Sequence, residues 1–190
     1  MTDLYARLGI DFDRLGCVML DCEPPTFLHD LVPPTFWYRD PARPGEYGPE
    51  MQAHVTLLFG LMQNANTIRD EVDEVLEGWR APEFFEASKR APLELFGGPD
   101  APYDCIVLRP SYDPGYSDAH RRLSRLPHIN TFPDYQAHVT VGYVIKGAGQ
   151  YLLPDLERAL SERRTPLQLT HTGLNYGRAV VALDDHLKGA

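Results

Sequence analysis

The sequence predicts an α+β fold built as two pseudo-symmetric antiparallel sheet lobes, with helices outside and a cleft between them. Three observations carry that expectation. First, the phrase Gln52-Ala53-His54-Val55-Thr56 returns half a chain later as Gln136-Ala137-His138-Val139-Thr140. Second, each copy runs into an apolar stretch, Leu57-Leu58-Phe59-Gly60 or Val141-Gly142-Tyr143-Val144, that reads as a buried strand. Third, strand-like runs alternate with amphipathic helical patterns, and no stretch reads as a linker between independent domains. The whole chain, 1–190, is therefore expected to be one domain of two fused lobes.

Taken in order, residues 1–14 contain a short helical pattern and a turn. Gly16–Cys22 reads as the first strand, and Pro24-Pro25 opens a short helix over Thr26–Val32, because proline is tolerated in a first turn. Residues 33–50 are dense in proline and glycine and form a long loop, the kind of segment that often acts as a lid. The loop holds Phe36, Trp37, Tyr38 and Tyr47 together with Arg39 and Arg43. Rings beside arginines suit stacking on a base and pairing with a phosphate, and they equally suit covering a core edge.

After the first repeated phrase, Thr67-x-x-Asp70 signals a helix start. Ile68, Val72, Val75, Leu76 and Trp79 lie on one face of that helix. Strands are expected at Phe84–Phe96 and Tyr103–Leu108 around the turn Gly97-Gly98-Pro99-Asp100. Ser117 is read as capping a helix that buries Ala119, Leu123 and Leu126. Pro154 is expected near the start of a last helix with Leu153, Leu156 and Leu160 in register. Thr165–Thr172 and Ala179–Leu183 are expected to close the fold around a Gly173–Gly177 turn.

On a strand, residues i and i+2 share a face. His54 and Thr56 therefore point together, as do His138 and Thr140, while Val55, Leu57, Phe59, Val139, Val141 and Tyr143 point the other way. Two imidazoles beside a phosphodiester can remove a proton from the attacking oxygen and supply one to the leaving oxygen near neutral pH. The threonine hydroxyls can donate to non-bridging phosphate oxygens or orient the rings. Gly142 is expected on the cleft side, letting a ligand approach the backbone, with Leu58 at the matching place of the first strand.

Paired His-x-Thr strands resemble the 2H phosphoesterase superfamily, the RNA-ligase and cyclic-phosphodiesterase-like proteins, over roughly residues 15–185. Glu46-Tyr47-Gly48 and Leu126-Pro127-His128-Ile129-Asn130-Thr131-Phe132-Pro133 further resemble a branch carried by tailed bacteriophages. The resemblance implies a bilobal fold and metal-independent cleavage of a nucleotide phosphodiester by His54, Thr56, His138 and Thr140. The substrate is either a 2′,3′-cyclic phosphate or RNA end, or a cyclic mono-, di- or oligonucleotide messenger. In the messenger case the enzyme would degrade cyclic nucleotide signals of bacterial immunity. No metal or cofactor is implied. The alternative from another class is a module that sequesters a nucleotide without cutting it.

Composition sets the outer bounds. With 43% hydrophobic and 24% charged residues the chain is of ordinary globular type. A net charge of −9 argues against gripping long duplexes through their phosphates, though not against binding one small nucleotide. No apolar run approaches membrane-spanning length, and Met1-Thr2-Asp3-Leu4-Tyr5 lacks signal-peptide features, so a cytoplasmic location is expected, the host's cytoplasm if the protein is viral. Cys17, Cys22 and Cys105 read as buried reduced thiols. A metal site on His54 and His138 lacks further ligands at suitable spacing. His29, His120, His128, His171 and His186 lack the motif setting, and His128, in the loop before the second motif, is read as a surface or capping residue with cleft lining as the alternative.

Overall fold

A computed structural model describes residues 15–112, 114–130 and 134–178. Its seven strands are β1 (Gly16–Cys22), β2 (His54–Leu61), β3 (Phe84–Glu86), β4 (Leu93–Phe96), β5 (Tyr103–Leu108), β6 (Val139–Ile145) and β7 (Gln168–Arg178). They form one sheet in the order β3-β7-β1-β2-β6-β5-β4, with each neighbouring pair antiparallel. The described helices are α1 (Thr26–His29), α2 (Arg69–Val75), α3 (Pro114–Leu123) and α4 (Gly149–Ser161). The architecture is α+β.

The two strands carrying the repeated phrase are neighbours at the middle of the sheet, yet they share the single ladder pair Val55–Val139. The cause lies in the next residues. Against β1, Thr56 opposes Met19 and Leu58 opposes Val18, which leaves Leu57 as an extra residue. Against β5, Thr140 opposes Val107 and Gly142 opposes Ile106, which leaves Val141 extra. Each is a β-bulge three positions after a motif histidine, and a bulge bends its strand and stops pairing beyond it.

Loops fill the gap that opens, and each comes from the opposite half. Along β6, Glu50 N donates to Val141 O (2.9 Å), Tyr143 N to Gly48 O (2.8 Å) and Tyr38 N to Tyr143 O (2.9 Å). Along β2, Ile129 N donates to Gly60 O (2.8 Å) and Met62 N to Pro127 O (3.1 Å). The segment before the first phrase thus finishes the second strand, and the segment before the second finishes the first. Both contacts need glycine. A Cβ on Gly60 would sit 2.3 Å from Ile129 O, and one on Gly142 would sit 2.5 Å from Gly48 O and 2.6 Å from Trp37 Cζ3.

The core lies on the sheet face away from His54 and His138. Val18, Leu20, Val55, Leu57, Ile106, Leu108 and Val139 pack there with Leu28 of α1 and Tyr116, Ala119 and Leu123 of α3. Each fully buried aliphatic side chain contributes about 1.5–3 kcal/mol.

Several boundaries differ from the expectations. Phe84–Phe96 is two strands on opposite edges of the sheet, with β3 on β7 and β4 on β5, separated by a turn through Ala91 at φ 45°. Beyond β3, Ala87 bridges Pro110, and Ser88 N donates to Arg109 O (2.8 Å), which ties the continuation of β3 to the end of β5. Gly173–Gly177 is not a turn, because all five residues lie within β7 along β1. Helix α3 begins at Pro114, so Ser117 is inside it. Helix α4 begins at Gly149, well before Pro154, because the Asp104 carboxylate of β5 accepts Gly147 N (2.8 Å) and Gly149 N (3.1 Å) and holds the chain into its first turn. Helix α2 has no side-chain cap, and the Thr67 hydroxyl donates instead to Asn64 O (2.7 Å). The expectations for residues 1–14, 131–133 and 179–183, and His186, lie outside the described residues. No described helix is long and apolar enough to cross a membrane.

Candidate active site

The register of β2 against β6 sets the geometry. With Val55 opposite Val139, an antiparallel pair places His54 opposite Thr140 and Thr56 opposite His138. The four motif side chains form a crossed square on one sheet face, related by an approximate two-fold axis through the Val55–Val139 pair. Both imidazoles are half-buried.

Each motif histidine makes the same local hydrogen bond. His54 Nδ1 donates to Gln52 O (2.9 Å) and His138 Nδ1 donates to Gln136 O (2.7 Å). A carbonyl only accepts, so Nδ1 carries a proton in both rings, and Nε2 is the nitrogen left to gain or lose one. Phe96 meets the His138 ring edge-on at 4.7 Å between centroids. Burial pushes His138 below the ordinary imidazole value, and the nearby charges of Arg109 and His54 push it the same way, against the Gln136 hydrogen bond and Glu94. These effects together favour the neutral form of the His138 ring.

The bulges also decide which side chains join this face. By extra-residue count, Leu57 and Leu58, and likewise Val141 and Gly142, turn to the core side, while Phe59 beside Cys17 and Tyr143 beside Cys105 come to the histidine side. Strict alternation had placed Phe59 and Tyr143 on the core side and Gly142 in the cleft. Gly142 instead underlies Trp37, which is 8% exposed, bridges Val144 and lies edge-on to His29 at 5.8 Å. Trp37 and Gly142 are packing residues here and do not meet the motif histidines.

Tyr47 belongs to a cluster with Tyr38, Tyr103 and Tyr143, ring centroids 5.0–5.5 Å apart. Tyr143 follows Thr140 on the histidine face of β6, so the cluster continues the motif square along the strand. Arg43 is exposed and reaches Glu46 Oε1 (3.2 Å) and the Tyr47 hydroxyl (3.4 Å) at its rim, and Arg39 is exposed. Tyr38 was among the loop rings read from the sequence, whereas Tyr103 and Tyr143 were not expected beside the motif residues. The Tyr143 position becomes visible only once the bulge is known.

Two further charged residues flank the square. Asp21 of β1 is the ladder partner of His54 and accepts Asn175 Nδ2 (3.1 and 3.3 Å to its two oxygens). Arg109 follows Leu108, the partner of Val139, so it falls opposite His138. Its Nε lies 3.6 Å from Glu94 Oε2, and its Nη1 is buried without a hydrogen-bond partner among the described residues.

The other described histidines have structural roles. His29 Nε2 donates to Val141 O (2.8 Å) and His120 Nδ1 donates to Leu57 O (2.8 Å). His120 also stacks on Tyr135 at 4.1 Å, and the Tyr135 hydroxyl donates to Thr56 O (3.0 Å). His128 Nδ1 donates to Leu126 O (2.9 Å). His171 accepts from the Tyr116 hydroxyl at Nε2 (2.9 Å) and donates from Nδ1 to Asp21 O (3.3 Å). Cys17, Cys22 and Cys105 are free and buried, and burial pushes each thiol up to about 12, which removes them as nucleophiles near neutral pH. Among the described residues no group of three or more His, Cys, Asp or Glu side chains is arranged to hold a metal ion.

The fold is similar to that of Kluyveromyces marxianus Usb1, with a TM-score of 0.51 at 11% identity, covering 89% of this chain and 97% of that one. A second Usb1 structure, with uridine monophosphate, aligns over the same shares at 10% identity with a TM-score of 0.46. No protein-family model matches the chain, and no curated protein sequence matches it. At this identity the likeness shows a shared fold.

Proposed function

We propose that the chain is a metal-independent phosphodiesterase of the 2H phosphoesterase kind, acting on a nucleotide bound against the face that carries His54, Thr56, His138 and Thr140. In this reading the face is the floor of a cleft between two fused lobes, one on each side of the Val55–Val139 pair. The observation that supports it most is the repeated tautomer lock. Both Nδ1 atoms are tied to the carbonyl two residues back, so both Nε2 atoms are held for proton transfer. His128 makes the same bond to Leu126 O, but only in His54 and His138 does the lock coincide with a threonine facing the ring from the neighbouring central strand.

With a phosphate over the square, one Nε2 takes the proton of the attacking hydroxyl as the new P–O bond forms. The other Nε2–H protonates the leaving oxygen as the old P–O bond breaks. The threonine hydroxyls opposite the two rings donate to the non-bridging oxygens, where negative charge grows. Thr140 also contacts the Cys105 thiol, which steadies its hydroxyl.

The substrate in this reading is a 2′,3′-cyclic phosphate or RNA end, or a cyclic mono-, di- or oligonucleotide messenger of the kind a phage enzyme would remove from its host. The tyrosine cluster with Tyr47 gives a base a face to stack on beside the phosphate, and Arg43 and Arg39 stand outside it for a second phosphate. The test is a panel of linear, 2′,3′-cyclic and cyclic oligonucleotide substrates incubated with the protein in EDTA and read by mass spectrometry. Cleavage that survives chelation and is lost in His54→Ala and His138→Ala is the expected result. Binding without turnover by the wild type would make the protein a nucleotide-sequestering module instead.

A further inference from the structure

The two-fold symmetry that relates the motif residues is broken by their neighbours. On the outer side of His54, β1 supplies Asp21 directly across the ladder. On the outer side of His138, β5 supplies Arg109 at the equivalent place. Side chains directly opposite on an antiparallel pair have Cβ atoms about 4.5–5.5 Å apart, near enough for an ionic charge to bias a ring.

The remaining groups around each ring leave that contrast in place. His138 faces Thr56 from β2, Phe96 and Glu94 from β4, and Arg109 from β5. Glu94 opposes Arg109 only partly, because it is half exposed, sits 3.6 Å from Nε and leaves Nη1 without a partner. His54 faces Thr140 from β6 and Asp21 from β1. Asn175 from β7 binds that carboxylate through an uncharged amide, and Glu50 lies in the preceding turn on Gln52 N (2.7 Å). One imidazole therefore stands next to an anion and the other next to a cation.

We propose that Asp21 and Arg109 divide the labour between two otherwise equivalent histidines, so that His138 accepts the proton of the attacking oxygen and His54 donates one to the leaving oxygen. The proposal rests on the phosphodiesterase reading of this site. For a ribonucleotide 3′-phosphodiester the 2′-O–H proton passes to His138 Nε2 while the 2′-oxygen bonds to phosphorus. The P–O bond to the leaving group breaks, its electron pair stays on the departing oxygen, and His54 Nε2–H supplies that oxygen's proton. Solvent then restores both rings. Asp21 and Arg109 are positioning residues that act through the rings and need not touch substrate.

The experiment uses two leaving groups. ApA and UpU expel a ribose alkoxide, which needs a proton. Adenosine and uridine 3′-(4-nitrophenyl phosphate) expel nitrophenolate, which does not. His54→Ala is expected to lose about a hundredfold or more on the dinucleotides and less than about tenfold on the nitrophenyl esters. His138→Ala is expected to lose about a hundredfold or more on both, because each substrate still needs its 2′-hydroxyl deprotonated. Asp21→Asn should follow His54→Ala in milder form, slowing the dinucleotides alone. Arg109→Gln should move the rising limb of the pH–rate profile to higher pH, since removing the cation eases protonation of His138, and Arg109→Lys should move it back.

The reversed pattern, with His138→Ala rescued by nitrophenolate, overturns the assignment while leaving the phosphodiesterase reading intact. So do an unshifted profile in Arg109→Gln and unchanged dinucleotide turnover in Asp21→Asn, each with normal melts. A wild type that cuts neither substrate class, nor any member of the panel above, overturns the phosphodiesterase reading and this inference with it.

Discussion

Leu57 and Val141 occupy the same place in two different strands. Each is the extra residue of a bulge three positions after a motif histidine, and each presents its carbonyl to an imidazole from a helix or its end. A bulge leaves its residue out of the ladder, and a buried carbonyl without a donor costs about 1–3 kcal/mol. His120 on α3 is the donor to Leu57 O, and His29 on α1 is a second donor to Val141 O beside Glu50 N. The bulges aim the motif rings, and these two histidines hold the bulges.

His120→Ala is therefore expected to lower stability by about 1–3 kcal/mol, and His29→Ala by less, because Val141 O keeps its bond from Glu50 N. Activity should fall through loosening of the nearby strand, without loss of either reacting nitrogen. Thermal melts and turnover measured on the same preparations separate this from a catalytic role. A variant with a normal melting temperature and abolished turnover would contradict the clip.

The loop crossings make a sharper demand. Gly60→Ala and Gly142→Ala each drive a Cβ into a backbone oxygen, at 2.3 and 2.5 Å, where no side chain can move aside. Each should destabilise the fold by at least the 1–3 kcal/mol, roughly, of an overpacked site. Gly98, whose added Cβ would meet nothing within 4 Å, serves as the control and should tolerate alanine.

Trp37 and Tyr47 should part company. Truncating a buried tryptophan costs about 3–5 kcal/mol, so Trp37→Ala should lower the melting temperature and reduce activity equally on large and minimal substrates. Tyr47→Ala should spare the melt and weaken binding about ten- to a hundredfold on substrates that carry the stacked base. If Tyr47→Ala changes the two substrates alike, the tyrosine cluster is packing and not a base platform.

Acid should destabilise the protein through its histidines. Burial holds His29, His138 and His171 below the ordinary imidazole value. As pH falls, the unfolded chain binds these protons before the folded one does. The stability they support is thus fully present above about 6.5 and is lost as pH drops through and below it. Melting temperature recorded from pH 8 down to pH 5 should fall along this range, and His171→Phe should flatten the slope. An unchanged slope in that variant would remove His171 from the account.

Much of this was legible in the chain. The repeated phrase located both central strands. Gly16–Cys22 and Tyr103–Leu108 formed where apolar, β-rich runs placed them. The α+β class followed from the alternation of elements. The strand ends and faces were less legible, for one physical reason. A bulge is a tertiary event, set by the partner strand's register, so period-two counting carried Phe59, Gly142 and Tyr143 to the wrong side. Trp37 beside two arginines had the composition of a base clamp, but the space over Gly142 claimed the ring for the core. Asp21 and Arg109 needed the register of β1 on β2 and of β5 on β6, which no local pattern encodes. The Asp104 carboxylate that starts α4 comes from a residue far away in sequence, and so the helix start moved.

The crossed loops carry a consequence for how the polypeptide can be divided. Residues 48–50 belong to the first half and complete β6, while residues 127–129 belong to the second half and complete β2. A chain cut at the exposed turn Gly97–Asp100 would yield two pieces, each with a bare central edge and each carrying the segment the other lacks. Neither piece is self-sufficient, and the two should recognise one another on mixing. The repeat is in this sense a clasp made from one strand of sequence, and its reciprocity ties the two histidines to a single folding event.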